Sequence, residues 1–128
     1  MWVGELNATG QGRTNGCAQR GTSSQLQASS TSEDCLYLTV YVPEREPANV
    51  VALPVVFYVT GGAYIDGTPT QTDGSKFASL NGGAIVVMAA YRLGIFGFLG
   101  ADELRARDPR GSTGNYGLQD QRAALQWA

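Results

Sequence analysis

Histidine is absent from this sequence, which removes the commonest general base at neutral pH and the commonest zinc ligand. A hydrolytic mechanism confined to these residues has no ordinary proton shuttle, and no metal site is expected. Charge is sparse as well. Only 16% of residues are charged, the formal net charge is −2, and the nine lysines and arginines are scattered rather than clustered. No electrostatic footprint for nucleic acid or an anionic membrane follows, so neither is expected as a partner. No apolar run approaches the roughly 20 residues that span a bilayer. The start, Met1-Trp2-Val3-Gly4-Glu5, lacks the basic and apolar regions of a signal peptide.

Cysteine is nearly absent too. Cys17 and Cys35 flank a stretch of Ser, Gln, Thr and Gly that has too few apolar residues to fold unaided. A bridge across it would constrain the unfolded chain by about 3 kcal/mol on a loop-entropy estimate. The other reading is two unpaired thiols in a cytosolic protein. Asn7-Ala8-Thr9 is an N-glycosylation sequon, a triplet that also arises by chance. Together the bridge and the sequon lean towards an oxidising, secretory compartment.

What is present describes a globular chain of 128 residues, 43% hydrophobic, with room for one domain at most. Residues 1–35 read as loop. Leu36 to Val42 is rich in β-branched and aromatic residues and ends at Pro43, which predicts a strand followed by a turn at Glu44 to Pro47. Val55 to Thr60 and Ala84 to Ala90 are apolar at nearly every position. Such runs predict central strands of a largely parallel sheet, covered on both faces and joined by a crossover with a short helix around Ser75 to Leu80. Tyr91 to Gly100 has glycines at every third position, Gly94, Gly97 and Gly100, and is expected to be irregular. Leu118, Gln121, Leu125 and Ala128 form a helical stripe with no stop signal after it. Both ends of the chain therefore read as cut.

Gly61-Gly62 closes the second strand, and taken alone it is a tight turn. No Lys followed by Ser or Thr comes after Gly67, which argues against a phosphate-binding loop. Gly94, Gly97 and Gly100 do not fit the dinucleotide-binding spacing and are read as close-packing sites. No cofactor is expected.

Four blocks occur in order: Glu33-Asp34-Cys35-Leu36-Tyr37-Leu38; Pro54-Val55-Val56 running into Gly61-Gly62-Ala63-Tyr64; Tyr91-Arg92-Leu93-Gly94 with Phe96-Gly97-Phe98-Leu99; and Gly114-Asn115-Tyr116-Gly117-Leu118 with Asp120-Gln121 and Ala124-Leu125-Gln126-Trp127. In these blocks, and back to Trp2-Val3-Gly4, the chain resembles the type-B carboxylesterase and cholinesterase family. The resemblance implies an α/β class: a partial α/β-hydrolase fold with a mostly parallel central sheet and crossover helices, truncated at both ends. Residues 1–128 would be part of a single domain and not a complete one. The Gly-x-Ser-x-Gly nucleophile elbow would follow roughly twenty residues after Ala128, with the acid and the His later still.

Residue by residue, the resemblance places an oxyanion loop at Gly61 and its two donors on the backbone N–H groups of Gly62 and Ala63. A glycine-rich turn lets such groups approach a carbonyl oxygen without Cβ obstruction. Thr60 stands where the family often has His or Tyr, and Ala63 replaces a third Gly. The resemblance also implies a Cys17–Cys35 disulfide, and an internal, structural ion pair between Arg92 and Asp120. Glu33 is left without its usual upstream Arg and is expected to be solvated.

The expected function is that of a fragment of a serine carboxylic ester hydrolase, acting on a carboxylic ester in the full-length parent and inactive alone. No catalytic residue is expected within it. The alternative is a catalytically inactive, esterase-like adhesion or binding module. A short independent domain is disfavoured by the open final helix. Secretion of the parent is expected.

Overall fold

A computed structural model describes residues 15–19, 31–44, 52–80 and 83–128. Asn7, the turn at 45–47 and most of the polar stretch between the cysteines lie outside the described residues. Two short strands, β1 (Gly16–Cys17) and β2 (Thr31–Ser32), pair in parallel, Gly16 with Thr31 and Cys17 with Ser32. Cys17 and Cys35 are joined by a disulfide beside that pair.

The main sheet has three strands in the order β3 (Leu38–Tyr41), β5 (Ile85–Ala89), β4 (Val55–Val59). β4 and β5 run parallel, with Phe57 opposite Val87, and β3 is antiparallel to β5, with Val40 opposite the same Val87. The β-branched run explains the choice of strand: Val and Ile pack well on a pleated surface and lose side-chain freedom in a helix. β5 is the central strand, and Val86 through Ala89 are buried on both of its faces. β4, although equally apolar, stands at the edge of the described sheet with Val55 and Tyr58 exposed. Continuous apolar sequence reports that a strand can be covered on both faces, not that its neighbours lie within the same stretch of chain.

The crossover from β4 to β5 passes through a 3-10 turn (Pro69–Gln71) and α1 (Ser75–Ser79), whose Ala78 packs on Val86 and Met88. A second buried cluster joins Cys17, Cys35, Tyr91 and Leu93, with Val59 and Ala90 against it. After β5 the chain makes three helices, α2 (Gly94–Phe98), α3 (Asp102–Arg107) and α4 (Tyr116–Trp127).

Two sequence expectations are corrected here. The glycine-spaced segment is not wholly irregular, because Gly94–Phe98 forms one helical turn, with Gly97 N–H donating to Leu93 O at 3.1 Å and Leu99 N–H to Ile95 O at 3.0 Å. The glycines there serve close approach: a Cβ on Gly97 would fall on the carbonyl of Arg92. The final helix forms, but its inward face is displaced from the expected stripe. Leu118, Leu125 and Ala128 are exposed, while Gly117 is buried and Asp120, Gln121 and Ala124 are partly so. The face is chosen by the closest backbone approach, at Gly117, and not by the largest apolar side chains.

Candidate functional site

The end of β4 runs into a tight loop, residues 60–67, at the edge of the sheet. Gly62 has φ +131°, and a Cβ there would fall on the carbonyl of Asp66, so only glycine fits. Ala63 and Tyr64 follow in the left-handed region at φ 52° and 64°. Two consecutive non-glycine residues in that region are costly, and such strain concentrates at functional sites. The loop closes on itself: the N–H groups of Ile65 and Asp66 both donate to Gly62 O, at 2.9 and 3.2 Å. Among the described residues nothing accepts from the N–H groups of Gly62 or Ala63.

Neighbouring elements hold the loop. Tyr91, just past β5, donates from its buried hydroxyl to the carbonyl of Thr60 at 2.8 Å. Burial pushes the Tyr91 phenol above the usual tyrosine range, so it remains a donor at any ordinary pH. Tyr64 O accepts from Gly94 N–H at 2.7 Å, and the Tyr64 ring packs edge-on to Tyr91 and tilted against Phe98. At the far end, the side chain of Gln19 bonds both backbone groups of Gly67.

A cleft of about 340 Å³ is lined by Val59, Thr60, the run Gly61 to Tyr64, Tyr91 and Gln121. Gln121 Nε2 is buried and has no hydrogen-bond partner among the described residues. A buried amide left without an acceptor is costly, so this group marks a place where an acceptor is due. The cleft is thus bordered by the glycine turn, with Tyr64, Tyr91 and the partly buried Gln121 beside it. Among the described residues that line it there is no nucleophile paired with a base. Among the described residues no cluster of three or more His, Cys, Asp or Glu could hold a metal ion, and no helix is long and apolar enough to cross a membrane.

Of the residues singled out in the sequence, Gly61, Gly62 and Ala63 lie together on this loop. Arg92 and Asp120 meet behind it. Nε to Oδ2 and Nη2 to Oδ1 are both 2.8 Å, and the Arg92 guanidinium also lies 5.4 Å from the ring centre of Tyr116. That bidentate contact pushes the Arg92 pKa upward. Glu33 is exposed and forms no ion pair among the described residues. Sequence reasoning missed Tyr91, Gln19 and Gln121 as partners of the loop. Tyr91 and Gln121 stand inside the quoted motif blocks, which was the available signal; for Gln19 there was none beyond its place two residues after Cys17.

A profile described as the Carboxylesterase family matches residues 1–128. A carboxylic ester hydrolase of Gibberella moniliformis is 40% identical over 116 residues, 87% of this chain and 21% of that protein. Neuroligin-3 of Mus musculus is 38% identical over 117 residues, 75% of this chain and 13% of that protein. Among solved structures, a PNB esterase matches with a TM-score of 0.70 at 36% identity, covering 88% of this chain and 23% of that one. The chain therefore spans about a fifth or less of the length of these relatives.

Proposed function

The chain belongs to the carboxylesterase family and has part of an α/β-hydrolase fold, and from that premise we propose that it supplies the oxyanion loop of a serine carboxylic ester hydrolase. Residues 1–128 are part of one such domain and not a complete one. The nucleophilic serine, the acid and the His are supplied from outside these residues. When the serine attacks an ester carbonyl, the π electrons move onto oxygen. The N–H groups of Gly62 and Ala63, with a third N–H beside the serine, stabilise that negative charge as it develops. A single preorganised donor of this kind is worth about 3 kcal/mol of barrier. Such donors gain most in a water-poor site, which the rest of the domain would have to complete around this cleft. The partner of the full-length parent is a carboxylic ester, and the compartment is secretory, a reading supported by the disulfide.

The observation that carries the proposal is the left-handed turn at Gly62-Ala63-Tyr64, whose two N–H groups are unspent among the described residues and line a cleft. The test is a hybrid in which residues 1–128 replace the matching segment of the PNB esterase. A Cβ on Gly62 meets the Asp66 carbonyl and must move the turn. Gly62→Ala should therefore displace its N–H donors and lower the kcat of the hybrid on p-nitrophenyl acetate by about 100-fold to 1,000-fold, the cost of one lost donor. KM and the circular dichroism spectrum should change little. A variant hybrid with undiminished kcat would defeat the proposal.

The likeness to neuroligin-3 supports a second reading, an esterase-like adhesion or binding module in which the loop survives without chemistry. The residue at the nucleophile elbow of the full-length protein separates the two: Ser for the first reading, any other residue for the second.

A further inference from the structure

The Gln19 amide and the backbone of Gly67 exchange two hydrogen bonds. Nε2 donates to Gly67 O at 3.1 Å, and Oε1 accepts from Gly67 N–H at 2.9 Å, across a sequence separation of 48. This is the pattern that one residue of a neighbouring strand makes, supplied here by a side chain. The same Nε2 donates to Cys17 O at 3.0 Å, so the amide is fixed on its own side by a residue of the disulfide. The other polar contacts of the loop leave from different points: Thr60 O towards Tyr91, Tyr64 O towards Gly94, and the N–H groups of Ile65 and Asp66 inward to Gly62 O. Gln19 alone among these partners takes both the donor and the acceptor of one loop residue, and it does so where the loop closes.

We propose that Gln19 is a positioning residue for loop 61–67, carrying the rigidity of the Cys17–Cys35 bridge to the N–H groups of Gly62 and Ala63. The proposal rests on the reading of that loop as an oxyanion loop. The side chain must offer a donor and an acceptor in one plane, which a primary amide does and a carboxylate does not. A carboxylate here would turn lone pairs towards the carbonyls of Gly67 and Cys17. Asn has the right groups on a stem one methylene shorter. The loop needs a hold of this kind because Ala63 and Tyr64 sit in left-handed conformations that they would leave if the loop opened.

The experiment is amide hydrogen exchange by NMR on the oxidised esterase hybrid that carries residues 1–128, normalised to intrinsic rates, for the parent hybrid, Gln19→Ala and Gln19→Glu. In Gln19→Ala, exchange at Gly67 should quicken by about 10-fold or more, and the resonances of Gly62 and Ala63 should shift. The amides of Val86 to Ala89 should keep their rates. Gln19→Glu should behave like Gln19→Ala at neutral pH. It should then recover protection at Gly67 as its carboxyl takes up a proton near pH 4, about the ordinary Glu value. Recovery on protonation is a readout that simple loss of packing would not give. An unprotected Gly67 in the parent, unchanged exchange in Gln19→Ala, or no recovery in Gln19→Glu overturns the proposal. Exchange is read without substrate, so these outcomes leave the oxyanion reading untouched. If exchange responds as expected while kcat of the esterase hybrid falls on Gly62→Ala but is indifferent to Gln19→Ala, the positioning role falls and the oxyanion reading stands. If Gly62→Ala leaves kcat undiminished, the oxyanion reading falls and the positioning role with it.

Discussion

Asp120 receives Arg92 three times over. Its Oδ2 accepts from both the backbone N–H and Nε of Arg92, at 3.0 and 2.8 Å, and its Oδ1 accepts from Nη2 at 2.8 Å. One carboxylate therefore fixes the main chain leaving β5 and the side chain that follows it, and ties both to the second turn of α4.

Removing that carboxylate should be felt more than removing an ordinary surface charge. The Asp120 side chain is only 8% exposed, but that of Arg92 is 38% exposed, so water already screens part of the pair. Breaking a fully buried pair costs about 3–5 kcal/mol, and screening reduces the expectation for Asp120→Ala to about 2 kcal/mol. Arg92→Lys should also lose stability, because an ammonium cannot make the two-pronged contact. Urea denaturation midpoints measure both; a change below about 0.5 kcal/mol in Asp120→Ala would refute the expectation.

Gly117→Ala should destabilise the chain even though alanine favours helices by about 1 kcal/mol. An added Cβ would lie 2.5 Å from the carbonyl of Arg92 and 2.8 Å from Phe98 Cζ, and the first of these neighbours is backbone. Overpacking of this kind typically costs about 1–3 kcal/mol. Gly100→Ala is the control, since nothing lies within 4 Å of a Cβ there. Equal melting temperatures for the two variants would show that α4 can move away from Arg92.

Tyr91→Phe removes the hydroxyl that holds Thr60 O and should cost about 1 kcal/mol. The parent should also lose stability in alkali. Burial raises the folded phenol pKa above its unfolded value of about 10, so the contribution is fully present below pH 10 and is lost as the pH rises through the folded value. Subtracting the alkaline denaturation curve of Tyr91→Phe from that of the parent isolates this residue. A difference that grows with pH would have the wrong sign.

The chain by itself should not turn over esters. It holds donors for an oxyanion but has no His, and its serines lack the Gly-x-Ser-x-Gly setting. Purified protein assayed on p-nitrophenyl acetate and butyrate should match a protein-concentration background. Saturable turnover blocked by an organophosphate would contradict this.

Legibility from the sequence followed the range of the forces involved. β4 and β5 were readable because a run of β-branched residues acts locally. The glycine turn was readable because Gly61-Gly62 interrupts such a run. The placing of β4 at an edge was not, since its neighbours are set by pairing and not by composition. α4 could be read from its period, but Leu118 and Leu125 misdirected its face because the backbone of Arg92 takes Gly117 as its contact. The holds on the loop from Tyr91 and Gln19 left no periodic trace. A side-chain amide bonding backbone 48 residues away looks, in the sequence, like any other glutamine.

The sheet order carries a consequence for synthesis. Val87 is paired with Val40 on one side and with Phe57 on the other, so β5 is the template on which both earlier strands assemble. Neither pairing can form before Ala89 has left the ribosome. At about 5–20 residues per second, the apolar residues of β4 wait on the order of seconds with their edge groups unpaired. During translation the hazard is therefore a matter of timing. A pause placed after Val59 lengthens that exposure, whereas one placed well after Ala89, once β5 has emerged, does not.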